Sequence, residues 1–455
     1  MKNNLLIVAI FCIGLGLRLY PALTQAPWLD EIYSLYFANN FSALKLIFQP
    51  PEAHPGAYYL LLKILLNFST NLFLLRTITS IIPVLIGSYL IYRQTKSNFL
   101  LAVLLLNPFF IHMSWQLRMY GLTFMFSVLL IQLFLNSSPF NHKKFLLLSL
   151  LSTLFSFSLI IPVFCLYLYQ YSREKNIKNL LYFTLIPLEF FITKGFFTYK
   201  KYVEYAAWIN SPSFTNIPNT ILTSLGFGTD INNLTSSTFF VALLFFLIFI
   251  PLVYLLSKRN KLFFYTFTLP LLITIAISAS FPFLSQRFFF YHFIPKVSLF
   301  IPRFLLPLSL YFYLFLLQSF NKKHQKLLLF VLIIFWLNPN LILNLNSYYA
   351  KASPHNYPSN ILVMPPWENL RLNSNFTRQD LNKISQDFDT ASIIETDLTR
   401  ISENPDCTSS AKFNNFVYLI DPRVKSISPY HQQMQQLLTL CYQRPLQNQL
   451  PKPSR

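Results

Sequence analysis

Charge is scarce in this chain. Of its 455 residues, 11% are Asp, Glu, Lys or Arg, where a soluble globular domain carries about 25%. Soluble domains of this total length need charged shells over their cores, and the composition does not supply them. Acids are the scarcer sign, with 16 Asp and Glu against 36 Lys and Arg and a formal net charge of +20. Glycine is rare, at 8 residues, and the 4 cysteines are Cys12, Cys165, Cys407 and Cys441. The first two lie in apolar stretches. The last two lie in a polar tail, where a disulfide is open but not compelled. No CxxC, zinc-ligand, GxGxxG or P-loop pattern occurs. What is present is apolar and aromatic: 54% hydrophobic residues, 49 Phe, 26 Tyr and a mean hydropathy of +0.44. These numbers leave a polytopic membrane protein.

The basic residues sit in short clusters between apolar stretches, which is a topology signal and not a nucleic-acid-binding face. Apolar segments cover roughly 4–23, 71–92, 98–115, 118–136, 145–170, 179–194, 236–257, 262–282, 303–320 and 327–345. The first lacks a small-x-small cleavage site and reads as a retained helix, not a signal peptide. Lys2, Arg93–Lys96, Lys143–Lys144, Arg173–Lys178, Lys258–Lys261 and Lys322–Lys326 together hold 14 basic residues and one acid, Glu174. Placing them all on the cytoplasmic side has two consequences. Segment 56–69, too short to span and containing Lys63, becomes an interfacial helix. Segment 145–170 crosses twice, broken near Ser152, Thr153, Ser156, Ser158 and Pro162; its plainer alternative is one long tilted helix. The result is eleven crossings, a cytoplasmic N-terminus and an extracytoplasmic tail in a plasma (inner) membrane. After Tyr349 the composition shifts, and the tail holds nine of the sixteen acids. With strand-like runs at Ile361–Met364 and Phe416–Ile420, it reads as a small soluble domain, mixed α/β. The expected domains are 1–345 and 346–455.

Odd polar residues collect on the predicted outer side. Asp30 and Glu31 follow the first helix, and a carboxylate at a membrane mouth suits a general base or a metal ligand. Asp30, the stiffer, fits the base; Glu31 fits an orienting role or a shared divalent ion, Mg²⁺ or Mn²⁺. The plain alternative is interfacial polarity. His54 precedes Pro55 and suits a phosphate or an acceptor, though a lone interfacial His is as often structural. Arg118, within Trp115–Tyr120, is a cation on the side that the charge pattern otherwise keeps poor in cations. It wants an anionic partner, or snorkels to headgroups, and Tyr120 can donate to the same group. Arg303 opens a late span and can hold a lipid-linked phosphate or touch anionic lipid, with Arg287, His292 and Lys296 nearby. Arg18 and Arg76 can pair with an acid of the first outer loop. Glu189 and Lys194 can pair with each other. Two glycines within three residues, Gly226 and Gly228, mark a deliberate turn.

Five blocks carry a resemblance: Trp28-Leu29-Asp30-Glu31-Ile32-Tyr33-Ser34, His54-Pro55-Gly56-Ala57-Tyr58-Tyr59-Leu60-Leu61, Arg76 with Ser80, Ser114-Trp115-Gln116-Leu117-Arg118-Met119-Tyr120, and Pro302-Arg303-Phe304-Leu305-Leu306-Pro307. Over roughly residues 4–345 the chain resembles the GT-C superfamily of integral-membrane glycosyltransferases. Within it, the likeness is to the branch of the protein O-mannosyltransferases and the lipid A aminoarabinose transferase (glycosyltransferase family 39-like). The resemblance implies an all-α polytopic membrane domain, a polyprenyl-phosphate-linked sugar donor, and an envelope glycan, lipid or protein acceptor. It also implies inversion at the anomeric centre, with Asp30 as the catalytic acid residue of the first outer loop. The expected site is then Asp30 and Glu31 for catalysis, Arg118, Tyr120, Arg303 and His54 for the donor phosphate, and Arg76 and Gln116 in support. Two positions depart from the family's usual pattern: Gln116 stands where an acid is common, and Gly56 where a second proline is. No cofactor is fixed by the sequence; a divalent ion, Mg²⁺ or Mn²⁺, is open at Asp30 and Glu31. Expected partners are the lipid-linked sugar, its acceptor and membrane lipids, with no nucleic acid. The rival class is a transporter or flippase for a lipid-linked glycan, and a non-catalytic envelope scaffold is a third.

Overall fold

A computed structural model describes residues 2–25, 27, 29–48, 54–135, 140–185, 216–227, 236–284, 302–336, 361–364 and 417–420. Two compact units divide the chain. One is Met1–Leu23, Phe41–Leu65 and Phe73–Tyr348; the other is Thr24–Asn40, Leu66–Leu72 and Tyr349–Arg455.

The first unit is helical. Helix α1 is Lys2–Thr24. Helix α2 (Leu29–Asn40) falls in the second unit. Short helices α3 (Ala43–Phe48) and α4 (Gly56–Leu66) follow. Helix α5, Leu72–Thr95, runs through a π turn at Thr77–Ile81. Next come α6 (Asn98–Leu106) and α7 (Pro108–Trp115), then α8 (Tyr120–Leu135). Helix α9 is His142–Phe155, α10 Ile160–Glu174, α11 Lys178–Phe183 and α12 Asn216–Ser224. Helix α13 is Ser236–Arg259. Helix α14 runs from Lys261–Phe263 through a π turn, Phe264–Thr268, into Leu269–Leu284. A 3₁₀ turn, Pro302–Leu305, leads into α15 (Leu306–Ser319), and α16 is Lys322–Trp336.

Among the described residues, three helices are long and apolar enough to cross a membrane: Leu5–Thr24, Leu72–Thr95 and Lys261–Ala279. A fourth span results if α6 and α7, bent by 57°, count as one. The chain is therefore a helical integral membrane protein.

Side-chain pairs set the helix directions. Ile10 packs on Leu101, Ala102 and Leu105, and Arg18 reaches Ser114, so α1 runs parallel to α6–α7. Ser80 meets the carbonyls of Gln116 and Arg118, and the Gln132 amide donates to Leu90 O at 2.9 Å, so α5 and α8 are parallel. The two approach closely because Gly121 lies on the backbone of Ser80, where a Cβ would collide. Tyr311 donates to Ser127 O at 3.1 Å and Arg303 to Tyr120 at 3.4 Å, so α15 also follows α8. Phe263 meets Phe315 and Phe267 meets Phe312, so α14 runs against α15.

The segment expected to break does break. Ser156 adopts extended backbone between α9 and a 3₁₀ turn at Phe157–Leu159. Phe145 of α9 then packs at a tilt against Tyr167 of α10, at 4.5 Å between ring centroids. His142, which opens α9, lies 3.3 Å from Glu174, which closes α10. One long tilted helix is excluded: this is an antiparallel hairpin. Its arms of 14 and 15 residues are about 21–23 Å long.

These directions bring the basic loops to one end of the unit. The α5–α6, α8–α9, α10–α11, α13–α14 and α15–α16 connections gather there with the start of α1. The turn between α7 and α8 and the entry to α15 lie at the opposite end.

The α6–α7 bend explains one buried charge. Pro108 has no N–H for the Leu104 carbonyl. The Phe109 amide donates to the Asn107 side chain at 2.9 Å, leaving Leu105 O without its helical donor. Arg18, fully buried, fills the gap: Nη1 donates to Leu105 O at 2.7 Å and Nη2 to Leu104 O at 3.3 Å. Arg18 was expected to meet an acid; its hydrogen bonds go to backbone carbonyls and Ser114 instead.

In the second unit, β1 (Ile361–Met364) and β2 (Val417–Ile420) pair in parallel, with Ile361 opposite Val417. Both coincide with the strand-like runs in the sequence. Glu189, Lys194, Arg287, His292, Lys296, Gly228, Cys407 and Cys441 lie outside the described residues.

Candidate functional site

Four of the expected phosphate-binding residues lie at the end opposite the basic loops. The α7–α8 turn carries Arg118 and ends at Tyr120. It is built from behind: the Ser80 hydroxyl donates to Gln116 O and, at 3.1 Å, to Arg118 O. The π turn at Thr77–Ile81 sets Ser80 there, since one extra residue per turn re-aims the backbone. The Arg118 amide also donates to Gln116 O at 2.8 Å, and the Arg118 side chain is buried. Arg303 enters from the 3₁₀ turn before α15, with Nη1 3.4 Å from the Tyr120 hydroxyl. Its neighbour Phe304 lies against His54, at 6.1 Å between ring centroids. Arg303 thus meets Tyr120, its neighbour Phe304 meets His54, and Arg118 lies buried two residues before Tyr120 in the same turn, all at one end of the unit. Two planar cations with a hydroxyl donor form a set suited to phosphate oxygens.

The supporting residues are fixed to the scaffold. Arg76 is buried, donates to Ala22 O at 3.0 Å and lies 5.0 Å from the Trp115 ring. That contact is a cation–π interaction that ties α5 to α7. Gln116 is buried, and its amide nitrogen is 3.0 Å from His112 Nε2. Gly56 has a local reason: a Cβ there would strike the carbonyl of Leu46 in α3. Proline is excluded by the same contact.

Asp30 and Glu31 are not on a loop. They occupy the first turn of α2, in the second unit, where the positive end of the helix dipole favours carboxylates. Asp30 is half-buried and Glu31 fully buried. The Ser34 hydroxyl donates to Asp30 O at 2.8 Å. Consecutive helical positions do not face each other, so the two carboxylates make a poor clamp for one divalent ion. Among the described residues, no three His, Cys, Asp or Glu side chains gather as a metal site.

Sequence reasoning missed Phe304 as the partner of His54. It also missed Asn107, whose amide donates to Leu225 O at 3.0 Å beside the Gly226 turn. Gly226 has φ +85°, as a deliberate glycine turn requires, and the proline after Asn107 was the available signal for the bend.

No protein-family model, characterised protein or solved structure matches this chain in comparison.

Proposed function

We propose that the chain is a GT-C-type glycosyltransferase that moves a sugar from a polyprenyl-phosphate-linked donor to an envelope glycan, lipid or protein at the outer face of the membrane. The observation that supports this is the contact of Arg303 with Tyr120 at the end of the helical unit away from the basic loops, with Arg118 buried in the same turn and His54 against Phe304. By the positive-inside rule the basic end is cytoplasmic, which makes the opposite end extracytoplasmic and completes eleven crossings in a plasma (inner) membrane. The tail is then an outer α/β domain.

In this mechanism the isoprenoid lies in the bilayer with its phosphate at Arg118 and Arg303. Both cations, with Tyr120 and His54, stabilise negative charge as the phosphate departs. Asp30, the more exposed carboxylate, takes the proton of the acceptor hydroxyl as it attacks the anomeric carbon from the opposite face. Phosphate is a good leaving group, so one base suffices for inversion and no carboxylic acid partner is needed, in contrast to glycoside hydrolysis. Glu31 orients the first turn of α2. No step is routed through a metal ion.

The test is sugar transfer by purified protein in lipid, offered a panel of polyprenyl-phosphate sugars and envelope extract. Asp30→Asn is expected to lower turnover by about 10²–10⁴-fold, the usual contribution of a general base, with insertion intact. Undiminished transfer by Asp30→Asn overturns the assignment. The transporter reading draws on the bent α6–α7 pair and the broken α9–α10 hairpin, since discontinuous helices mark transport sites. Movement of lipid-linked glycan across the bilayer without sugar transfer favours it.

A further inference from the structure

A groove runs between α8 and α9 near the basic end, well away from Arg118 and Arg303. It is an open groove of about 310 Å³, walled by Leu129 and Leu133 of α8 and by Leu147, Leu148 and Leu151 of α9. Leu147 and Leu151 are exposed in the unit, so the groove opens sideways, toward lipid. Its other α8 residue, Gln132, turns its amide away to Leu90 O, which leaves the wall apolar. Lys144 closes the end at the basic loops.

We propose that this groove holds an acyl chain of an anionic phospholipid from the leaflet at the basic end, with the headgroup at Lys144. Charge decides the headgroup. Lys143 and Lys144 are both exposed in the first turn of α9. Glu174, the acid of this end, pairs with His142 at 3.3 Å and accepts from Gln170. Basic pockets between spanning helices on the cation-rich side are where anionic headgroups settle. The lining decides the body. The wall is made of leucines from both helices and is open along Leu147 and Leu151, which suits a hydrocarbon chain lying below a headgroup at Lys144. The site is independent of the proposed sugar transfer and lies at the other end of the unit.

The test reconstitutes the full chain in nanodiscs of equimolar phosphatidylglycerol and phosphatidylcholine. The lipid that stays with the protein after mild extraction is then quantified by mass spectrometry. Phosphatidylglycerol is expected to be enriched. Lys144→Ala should cut the enrichment about fivefold, the factor one lysine contributes at an anionic surface, and Lys144→Arg should keep it. Leu148→Trp fills the groove while leaving the lysine, and should also lower retained phosphatidylglycerol. Lys323→Ala, on α16 outside the groove, should not. Equal retention of the two lipids overturns the proposal, as does an enrichment that Lys144→Ala or Leu148→Trp leaves unchanged. Lys144→Arg keeps it falsifiable if the alanine variant fails to fold.

Discussion

Replacing Arg18 by methionine tests the account of the α6–α7 bend. The substitution keeps an unbranched apolar stem and removes the guanidinium. Four hydrogen bonds are lost: to Ser114 Oγ at 2.6 Å, Gly14 O at 2.7 Å, Leu105 O at 2.7 Å and Leu104 O at 3.3 Å. They do not count equally. Gly14 O lies within α1 and keeps its helical donor. The Ser114 hydroxyl still donates to Ile111 O. The Leu104 and Leu105 carbonyls are orphaned inside the protein, at about 1–3 kcal/mol each. Membrane-protein hydrogen bonds measure at the low end, about 0.6 kcal/mol on average, and methionine avoids burying a charge. The net expectation is a loss of about 2–4 kcal/mol. The assay is unfolding in mixed micelles by SDS titration, followed by far-UV circular dichroism. Pro108→Ala supplies the diagnostic arm, because it restores the N–H that a continuous helix offers Leu104 O. It should therefore cost less in the Arg18→Met background than in the wild type, by about 1 kcal/mol. Full stability of Arg18→Met refutes the argument, and so does a Pro108→Ala cost that is the same in both backgrounds.

Gly226→Ala should lower stability by about 2–4 kcal/mol in the same titration. It forces a side chain into φ +85° and against Asn107, which also caps α7; a change under 1 kcal/mol would show the turn can relax. Arg303→Ala should raise the KM for the lipid-linked donor roughly tenfold, the loss of a charge-assisted phosphate contact, and leave the KM for the acceptor unchanged; equal effects on both exclude a phosphate role.

Much of the helical unit is written in its hydropathy and charge, because a bilayer permits few alternatives to apolar helices. The break in 145–170 was legible from Ser156 and its polar neighbours, which cannot sit in lipid unless the backbone turns there. The runs at 361–364 and 417–420 declared themselves by β-branched and aromatic content. Partners that belong to the backbone were not legible. Arg18 reads as a charge in want of an acid, since carbonyls carry no letter in a sequence; only Pro108 hinted that some would be orphaned. Asp30 and Glu31 read as loop residues, although acids ahead of an apolar run are a helix-start signal. Gln116 looked like a lost acid, and its proximity to His112 depends on one helical turn that composition does not reveal.

The hairpin of α9 and α10 has a consequence for how the chain enters its membrane. Each arm is about 21–23 Å long, shorter than the roughly 30 Å hydrocarbon layer. Neither therefore presents a self-sufficient stop signal to the insertion machinery. The two are joined by a single 3₁₀ turn and held at their open end by His142 and Glu174. They behave as one insertion unit that goes in and comes back on the same side.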